Sequence, residues 1–306
     1  MNNIFITGAQ GFIGKNLVEY LARDIKKGYF LFYPDHGELE LFDADKVLQF
    51  INDNKIDVVI HCANTGGSRK TGYDIKDPYV AENNLRMFFN LTRCLGQAKL
   101  LINLGSGAEY DRAYYKPKMN EDYFDRHVPS DRYGFSKYIC SKYISNSQNS
   151  INLRLFGVFG KYEDHRFRFI SNAIVKNLSG LPITINKNVY FDYLYVNDLM
   201  KVLEYFIHNP ARHKNYNVCT GKVIDLATIA DMINKISEKP SEVIIKNQGL
   251  NPEYSGDNSR MLEELGEFDF TPFNEALKEL FLWHKNNINE VDKELIKKDE
   301  YLKYCR

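Results

Sequence analysis

Residues 7–14 read TGAQGFIG, and they lie between a short apolar run at residues 4–6 and an amphipathic segment at residues 15–23. This order predicts a β-strand, a tight glycine turn and an α-helix. Gly8 can adopt backbone angles that are closed to other residues, so the strand can turn sharply there. Gly14 has no side chain to hold the helix away. The stretch therefore predicts a β-turn-α unit, with which many α/β sheets begin.

Strand and helix patterns alternate along the first half of the chain. The run at residues 56–62, Ile-Asp-Val-Val-Ile-His-Cys, is typical of a strand buried on both faces. Such alternation implies a Rossmann-type α/β fold, a doubly wound parallel sheet with right-handed crossovers. Strands are predicted at residues 3–7, 29–33, 38–42, 56–62, 99–104 and 151–156, and helices at residues 12–25, 44–54, 77–97 and 133–146.

The glycine turn in that setting predicts a dinucleotide site. Gly11 leaves the backbone open to a pyrophosphate, which would face the free N–H groups and the positive end of the helix dipole. A glycine triplet alone also fits an ordinary turn, but its place after the first strand favours the dinucleotide interpretation. We expect residues 1–160 to form the dinucleotide-binding domain.

The pattern changes after Gly160. A strand at residues 190–196 and a helix to residue 208, capped by Asn197-Asp198, are expected to return to the first domain, as residues 189–208. Residues 161–188 and 209–306 are expected to form a smaller, mixed α/β domain that holds the substrate. Its predicted helices are residues 167–177, 227–237 and 273–287, and its predicted strands residues 182–186 and 242–246.

Composition narrows the class of protein. The 40 basic and 40 acidic residues are interspersed, which indicates neither a nucleic-acid surface nor a membrane-binding patch. No apolar run reaches membrane-spanning length, and no signal-peptide pattern precedes the first strand. The five cysteines are scattered and form no disulfide or metal-binding pattern. We therefore expect a cytoplasmic protein without a metal site.

A second group of residues carries polar chemistry. Tyr133 and Lys137 lie four residues apart, on one face of a predicted helix. A cation beside a phenol favours the phenolate, so this phenol could exchange a proton with a carbonyl or an alcohol. Ser106 lies at the end of a predicted strand, where such sheets place ligands, and could hydrogen-bond the reacting oxygen. Each motif also fits a surface pair or a turn, but their joint occurrence favours a catalytic group.

With these motifs the chain resembles the nucleotide-sugar epimerase/dehydratase family of extended short-chain dehydrogenases/reductases. The resemblance also rests on residues 57–61, 106–110, 193–199 and 257–260. It implies that Tyr133 is the catalytic acid/base, that Ser106 is its partner and that Lys137 binds the nicotinamide ribose. The implied cofactor contacts are Gly8, Gln10, Gly11, Phe12, Ile13, Asp35, His36, Asp43, Ala63, Tyr133 and Lys137.

Departures from the family pattern narrow the expected reaction. The 4,6-dehydratases carry an Asp-Glu pair after the catalytic hydroxyl residue, where this chain has Gly107 and Ala108. GDP-fucose synthase carries a catalytic cysteine at the place of Ala108, and its histidine acid falls near Arg168, beside His165. Dehydration and C3/C5 epimerisation are therefore not expected. What remains is redox chemistry at one carbon, most simply reduction of C4 in a nucleotide-linked 4-keto-6-deoxy sugar, for deoxysugar or surface polysaccharide biosynthesis.

The substrate and cofactor contacts are less constrained. Phe191 stands where the family often has an arginine for the diphosphate, and Gly157 replaces a common asparagine. Asp35 fits the ribose of NAD, whereas His36 stands where NADPH reductases carry arginine, with Arg69 and Lys70 as possible helpers. We favour NADP(H) over NAD(H), because a net reductase draws on the reduced pool. The implied substrate contacts are Ser106, Glu109, Arg166, Arg168 and Arg260.

Two alternative functions stay open. A 4-epimerase similar to UDP-galactose 4-epimerase uses the same groups with a tightly held NAD, and a non-catalytic dinucleotide-binding protein is the other alternative. In many relatives the helix that carries the catalytic tyrosine and the preceding long helix form a four-helix interface. The resemblance therefore also implies a homodimer, to which residues 87–89 and 138–139 would contribute.

Overall fold

The computed structural model describes residues 2–23, 28–66 and 77–303. Its central sheet has six strands, and all neighbouring strands are parallel. In spatial order they are Asn215–Val218 (β10), Ser150–Leu155 (β5), Leu100–Ser106 (β4), Val58–His61 (β3), Asn2–Thr7 (β1) and Tyr29–Phe32 (β2). The order reverses between β1 and β3, which makes the carboxyl ends of these two strands the expected ligand crevice.

Helices cover both faces of this sheet. Side chains alternate along each strand, so Ile4 and Ile6 of β1 lie in the core on one face and Phe5 in the core on the other. Because both faces are covered, the inner strands are buried throughout. The first face is covered by Phe12–Ala22 (α1) and Val196–His208 (α6), and the second by Ala44–Asp53 (α2), Val80–Thr92 (α3) and Arg132–Ile144 (α4).

The strands and helices that remain follow β5 in the sequence, and these strands form three two-stranded sheets. Their apolar side chains join the first core, since Ile229 and Leu280 belong to the same buried cluster as Ile4. The strands are Gly157–Phe159 (β6), paired with Tyr193–Tyr195 (β9); Ile183–Asn188 (β7), paired with Val243–Leu250 (β12); and Tyr190–Phe191 (β8), paired with Ile224–Asp225 (β11). The helices are Phe169–Leu178 (α5), Leu226–Ile236 (α7), Ser259–Leu265 (α8), Phe273–Asn286 (α9), Lys293–Lys297 (α10) and Glu300–Lys303 (α11).

Three sequence predictions of secondary structure differ from the structure. Residues 38–42 form turns rather than a strand, although Leu39 and Leu41 are buried; their alternation reflects core packing without a partner strand. The strand at residues 190–196 is divided into β8 and β9. Asn197-Asp198 lies inside α6, and the Asp198 carboxylate accepts the Thr271 N–H at 2.9 Å rather than capping the helix.

The edge strand β10 belongs to the central sheet, although it lies in the predicted substrate domain. The sequence predicts that residues 209–306 belong to that domain, but Asn215–Val218 pairs with β5. The part of the chain that returns to the sheet therefore extends beyond residue 208. The two-domain division itself stays a prediction.

A buried ion pair lies under the carboxyl ends of β4 and β5. The side chains of Arg154 and Glu109 are both 0% exposed, with Nε and Oε2 2.5 Å apart. Arg154 also donates to Ser141 Oγ of α4 at 2.7 Å and to Asn215 Oδ1 of β10 at 3.1 Å. Glu109 Oε1 accepts the backbone N–H of Ser106 at 2.9 Å. The pair thus joins two strands, the sheet edge and a helix beneath Ser106.

Replacing Glu109 with glutamine should strongly destabilise the fold. Glu109→Gln removes the carboxylate that is bonded directly to the buried Arg154 guanidinium and leaves only the more distant Glu121, and we expect the free energy of unfolding to fall by about 3–5 kcal/mol. Urea denaturation followed by circular dichroism measures this change. The matched control is the double variant Glu109→Gln/Arg154→Met, which removes the unpaired charge and should recover much of the loss. Equal stability of Glu109→Gln and the wild type would contradict a structural role for the pair.

Candidate active site

The glycine turn between β1 and α1 has the geometry of an anion cradle. Gly8 has φ of +66°, and a Cβ built there would lie 2.6 Å from the backbone nitrogen of Ala63, which follows β3. A Cβ at Gly14 would lie 2.3 Å from the Gly8 carbonyl oxygen. These two glycines are therefore required by close packing, as the sequence predicts.

Gly11 meets a different requirement. It has φ of −81°, which other residues adopt, and a Cβ there would meet only the Gly8 oxygen within 4 Å, at 3.2 Å. The space beyond its Cα is thus left for a ligand. Gly11 is also the N-cap of α1, and no side chain caps this helix end, where the first backbone N–H groups have no partner within the helix. Together with Gln10, Phe12 and Ile13 on the same turn, the residues present fit the pyrophosphate of a dinucleotide.

The residues predicted to bind the adenosine end have other visible roles. Asp35 Oδ1 accepts the N–H groups of Gly37 at 2.8 Å and Glu38 at 3.1 Å, so it stabilises the turn after β2. Asp43 caps α2 through the Lys46 N–H at 3.1 Å. The side chain of His36 is 86% exposed, and its Nδ1 lies 3.9 Å from the Glu40 carboxylate. Arg69 and Lys70 lie outside the described residues.

Tyr133 and Lys137 lie in the first turns of α4, as the spacing predicts. Asp131 caps this helix through the Gly134 N–H at 2.8 Å. Lys137 Nζ lies 5.8 Å from the centre of the Tyr133 ring and donates to the Leu104 carbonyl at 2.8 Å. The ammonium group is therefore held between the helix and the end of β4, beside the phenol.

Ser106 is the last residue of β4, and its hydroxyl oxygen accepts the Ala108 N–H at 3.1 Å. The pKa of the neighbouring Tyr254 phenol is raised by burial and lowered by Ser106. Helix α4 packs tightly on the turn after Ser106, since a Cβ at Gly134 would lie 2.9 Å from the Ala108 carbonyl oxygen. Tyr133 acts electrostatically on the same Tyr254 hydroxyl. These interactions place Ser106, Tyr133 and Lys137 at one end of the sheet.

Sequence reasoning missed Tyr254. Burial of its hydroxyl raises the pKa of Tyr254 to about 12. Its ring centre lies 5.2 Å from that of Phe156, 5.0 Å from that of Tyr115 and 5.8 Å from that of Phe191. No motif marks an isolated tyrosine, and its position just before residues 257–260 is the one signal that could have drawn attention to it.

The structure shows a structural role for Glu109. Its carboxylate is fully buried and accepts hydrogen bonds from Arg154, Asn152 and the Ser106 N–H. A group enclosed in this way faces the protein interior and supports Ser106 from behind, and the contact of Glu109 with substrate stays a prediction.

The three predicted substrate arginines are held elsewhere in the described structure. Arg166 makes a two-point ion pair with Asp164, with distances of 3.1 and 3.0 Å. Arg260 donates to Asp122 at 2.8 Å. Arg168 is exposed at the start of α5. No described contact joins them to Ser106 or Tyr133, so their role in substrate binding stays a prediction.

A different arginine lies nearer to these phenols. Arg112 acts electrostatically on the hydroxyl groups of both Tyr254 and Tyr115, and its Nε lies 3.9 Å from the Asp131 carboxylate. The position of the family's diphosphate arginine is taken by Phe191, which packs against Tyr193 and Tyr254. This side of the site is therefore aromatic, with Arg112 as a nearby cation.

Two kinds of feature are absent from residues 2–23, 28–66 and 77–303. None of the helices there is long and apolar enough to cross a membrane. That part of the chain also contains no group of three or more His, Cys, Asp or Glu side chains placed to hold a metal ion.

Comparison with known proteins agrees with this architecture. The chain is 25% identical to ADP-L-glycero-D-manno-heptose-6-epimerase of Brachyspira hyodysenteriae over 271 residues, which cover 78% of this chain and 82% of the relative. It is also 25% identical to GDP-6-deoxy-D-talose 4-dehydrogenase of Aggregatibacter actinomycetemcomitans over 304 residues, which cover 94% of this chain and 99% of the relative. The crystal structure of UDP-glucose 4-epimerase from Thermotoga maritima superposes with a TM-score of 0.80 at 19% identity. The superposition covers 94% of this chain and 99% of the epimerase, so the two proteins share the fold.

A protein-family model decides the assignment. The model described as "NAD dependent epimerase/dehydratase family" matches residues 4–219, from the first strand to the residue after β10. The matched region includes the glycine turn, Ser106, Tyr133 and Lys137, and it spans well over half of the sequence. The chain therefore belongs to the NAD dependent epimerase/dehydratase family.

Proposed function

We propose that this protein reduces the C4 keto group of a nucleotide-linked 4-keto-6-deoxy sugar with NAD(P)H, in deoxysugar or surface polysaccharide biosynthesis. The observation that carries the proposal is the grouping of Ser106, Tyr133 and Lys137 at the carboxyl end of β4. Only one strand, β3, separates β4 from β1, which leads into the glycine turn. A relative aligned over nearly the full length of both chains is named as a 4-dehydrogenase of a GDP-6-deoxy sugar, which supports redox chemistry at C4.

Tyr133, Lys137 and the hydroxyl groups near Ser106 would have different roles in such a reduction. Tyr133 would protonate the oxygen of the new alcohol, and Lys137 would stabilise the phenolate left behind. The bound nicotinamide would supply the hydride to the sugar carbon. The hydroxyl groups near Ser106 would hydrogen-bond the carbonyl oxygen and stabilise the negative charge that develops on it.

The surroundings of Ser106 argue against elimination of water. Gly107 and Ala108 occupy the places of the dehydratase acid and base, and neither carries a titratable group. Ala108 is 2% exposed, and a Cβ at Gly107 would lie 2.6 Å from the Tyr254 hydroxyl oxygen. A substrate in this site would therefore meet phenols where a dehydratase presents carboxylates.

The second candidate is a nucleotide-sugar 4-epimerase, which would use Tyr133 first as base and then as acid. It is favoured by the fact that the first of the relatives compared above is itself named as an epimerase. The two functions differ in their use of cofactor. A reductase consumes one NAD(P)H for each sugar, whereas an epimerase regenerates its bound NAD.

The assay that separates them is nicotinamide absorbance with GDP-, dTDP- and CDP-linked 4-keto-6-deoxy sugars. NADPH and NADH are tested separately. Stoichiometric loss of absorbance with one sugar would support the reductase. Sugar epimerisation without added cofactor, with NAD recovered from the denatured protein, would move the assignment to the epimerase. A dinucleotide-binding protein without catalytic activity would do neither.

Removing one hydroxyl should abolish most turnover. We expect Tyr133→Phe to lower kcat by roughly 10²-fold or more, because the new alkoxide loses its proton donor. Binding of NADPH, followed by fluorescence titration, should change little. The control is Tyr114→Phe, which alters an exposed tyrosine stacked on His127. Retention of near-full activity by Tyr133→Phe would contradict the mechanism.

The proposed cofactor is NADP(H) in preference to NAD(H). The carboxylate of Asp35, which would favour the ribose hydroxyls of NAD, is occupied by the turn that follows β2. His36 beside it is exposed and can present a cation to a 2′-phosphate when protonated. A reductase acting in biosynthesis would also use the more reduced pool.

A charge in the glycine cradle should prevent cofactor binding. Gly11→Asp places a carboxylate where the pyrophosphate would lie, and we expect the Kd of NADPH to rise about tenfold or more. The control is Gly11→Ala, which tests the lost space without the charge and should have a smaller effect. Fluorescence titration of NADPH and NADH into both variants and the wild type gives the affinities and the preference between cofactors. Unchanged affinity in Gly11→Asp would show that the dinucleotide binds elsewhere.

We further propose a homodimer through the outer faces of α3 and α4. Phe89 and Tyr143 are 36% and 40% exposed, and their rings pack against each other at 5.4 Å. Ile139 and Tyr143 line a groove between these helices together with Phe89. An aromatic pair on two adjacent helices fits burial against a second copy of the same surface. A cytoplasmic location is likewise a proposal.

The dimer can be tested with one charged residue. Phe89→Asp would bury two carboxylates at a two-fold interface, and we expect sedimentation to show monomers at concentrations where the wild type is dimeric. Leu282→Asp is the control, because Leu282 is 47% exposed on α9, away from α3 and α4. A wild-type monomer would remove the proposal.

A further inference from the structure

Tyr254 reaches the catalytic group from a distant part of the chain. Its backbone is fixed by two hydrogen bonds, from the Tyr254 N–H to the Tyr190 carbonyl and from the Asp192 N–H to the Tyr254 carbonyl, both 3.0 Å long. The ring lies among Phe156, Tyr115 and Phe191. The residue as a whole is partly exposed, whereas its hydroxyl group is buried against Gly107.

The hydroxyl group of Tyr254 lies against Gly107, the residue that follows Ser106. Burial raises the pKa of this phenol, whereas Ser106 and Tyr115 both lower it. A phenol has one proton to donate, so Tyr254 can donate that proton to a group bound at this place. Because its pKa lies near 12, Tyr254 stays protonated at neutral pH and acts as a donor rather than as a base.

Gly107 shows why the hydroxyl fits at this place. A Cβ at Gly107 would lie 2.6 Å from the Tyr254 oxygen and 2.8 Å from the Phe156 ring. Any side chain at position 107 would therefore displace the phenol. In this chain the residue after the catalytic serine is reduced to glycine, and the volume is filled by a hydroxyl group supplied from residue 254.

We propose that Tyr254 is a second proton-donating residue of the catalytic centre, which hydrogen-bonds the oxygen on the reacting sugar carbon. The inference rests on the proposed function for the identity of that oxygen. Tyr254 keeps its proton throughout, since the proton that the alkoxide receives comes from Tyr133. Ser106 lies next to Gly107, which the phenol contacts, and it orients the Tyr254 hydroxyl group, so the two hydroxyl groups act on the sugar oxygen as a unit.

Kinetics of single and double variants test this arrangement. We expect Tyr254→Phe to lower kcat by roughly 10- to 10²-fold, as for loss of one donor to a developing oxyanion, without weakening NADPH binding. Ser106→Ala should have a similar effect. Because the two hydroxyl groups act as a unit, the double variant should lose no more than the more damaging single change. Full kcat in Tyr254→Phe, or multiplication of the two effects, would overturn the proposal.

The reaction used is whichever the wild type catalyses, NADPH-dependent reduction of the keto sugar or cofactor-free epimerisation, because both pass through the same oxygen. Tyr114→Phe again serves as the control variant. If the wild type does neither, the proposed function fails, and the coupling of Ser106 to Tyr254 is decided by spectroscopy.

The spectroscopic test places 3,5-difluorotyrosine at position 254 and follows its ¹⁹F signal against pH. Ser106→Ala removes a donor that stabilises the phenolate, so the pKa of the probe should rise; Tyr115→Phe should act in the same direction. Tyr114→Phe should leave the titration unchanged. A titration that is insensitive to Ser106→Ala would overturn the interaction between Ser106 and Tyr254 on which the inference depends.

Discussion

The ion pair between Glu109 and Arg154 is the constraint on which the site depends. Two charges with 0% exposure are tolerated only because each is matched by the other and by further hydrogen bonds. Glu109 lies on the turn after β4, Arg154 on β5, and their partners on α4 and β10. The carboxylate that neutralises the arginine also holds the backbone of Ser106. Strand pairing, helix packing and the position of the Ser106 hydroxyl group thus depend on one polar network.

The groups that the sequence predicts well are those with local spacing. The turn needs glycine at positions 8 and 14 because a Cβ atom at either position would clash with nearby backbone atoms. Tyr133 and Lys137 lie close together because they are one helical turn apart. The parallel strands are predictable because a run of β-branched residues indicates a buried strand even when the neighbouring strand is unknown. Helix ends were less accurate; α3 begins at Val80, where the pattern suggests residue 77.

The differences between the sequence predictions and the structure have a common physical cause, which is that the sequence does not show where a side chain points. Glu109 is a carboxylate three residues after Ser106 and therefore suggests a ligand contact, and the sequence does not show that its partner is Arg154 on the next strand. Residues 38–42 alternate like a strand because Leu39 and Leu41 are buried, and no neighbouring strand pairs with them. Tyr254 could not be predicted for the same reason: the backbone hydrogen bonds that hold it, to Tyr190 and Asp192, join segments that are remote in sequence.

The place of β10 in the sheet has a consequence for anyone who wishes to recombine such enzymes. A fragment that ends after α6 would contain the glycine turn and the catalytic helix, yet β5 would become an open edge with unpaired backbone groups. It would also lack Asn215, which accepts a hydrogen bond from the buried Arg154. The dinucleotide-binding half is therefore not a transplantable module, and an exchange of substrate-binding segments between relatives has to leave residues 215–218 in place.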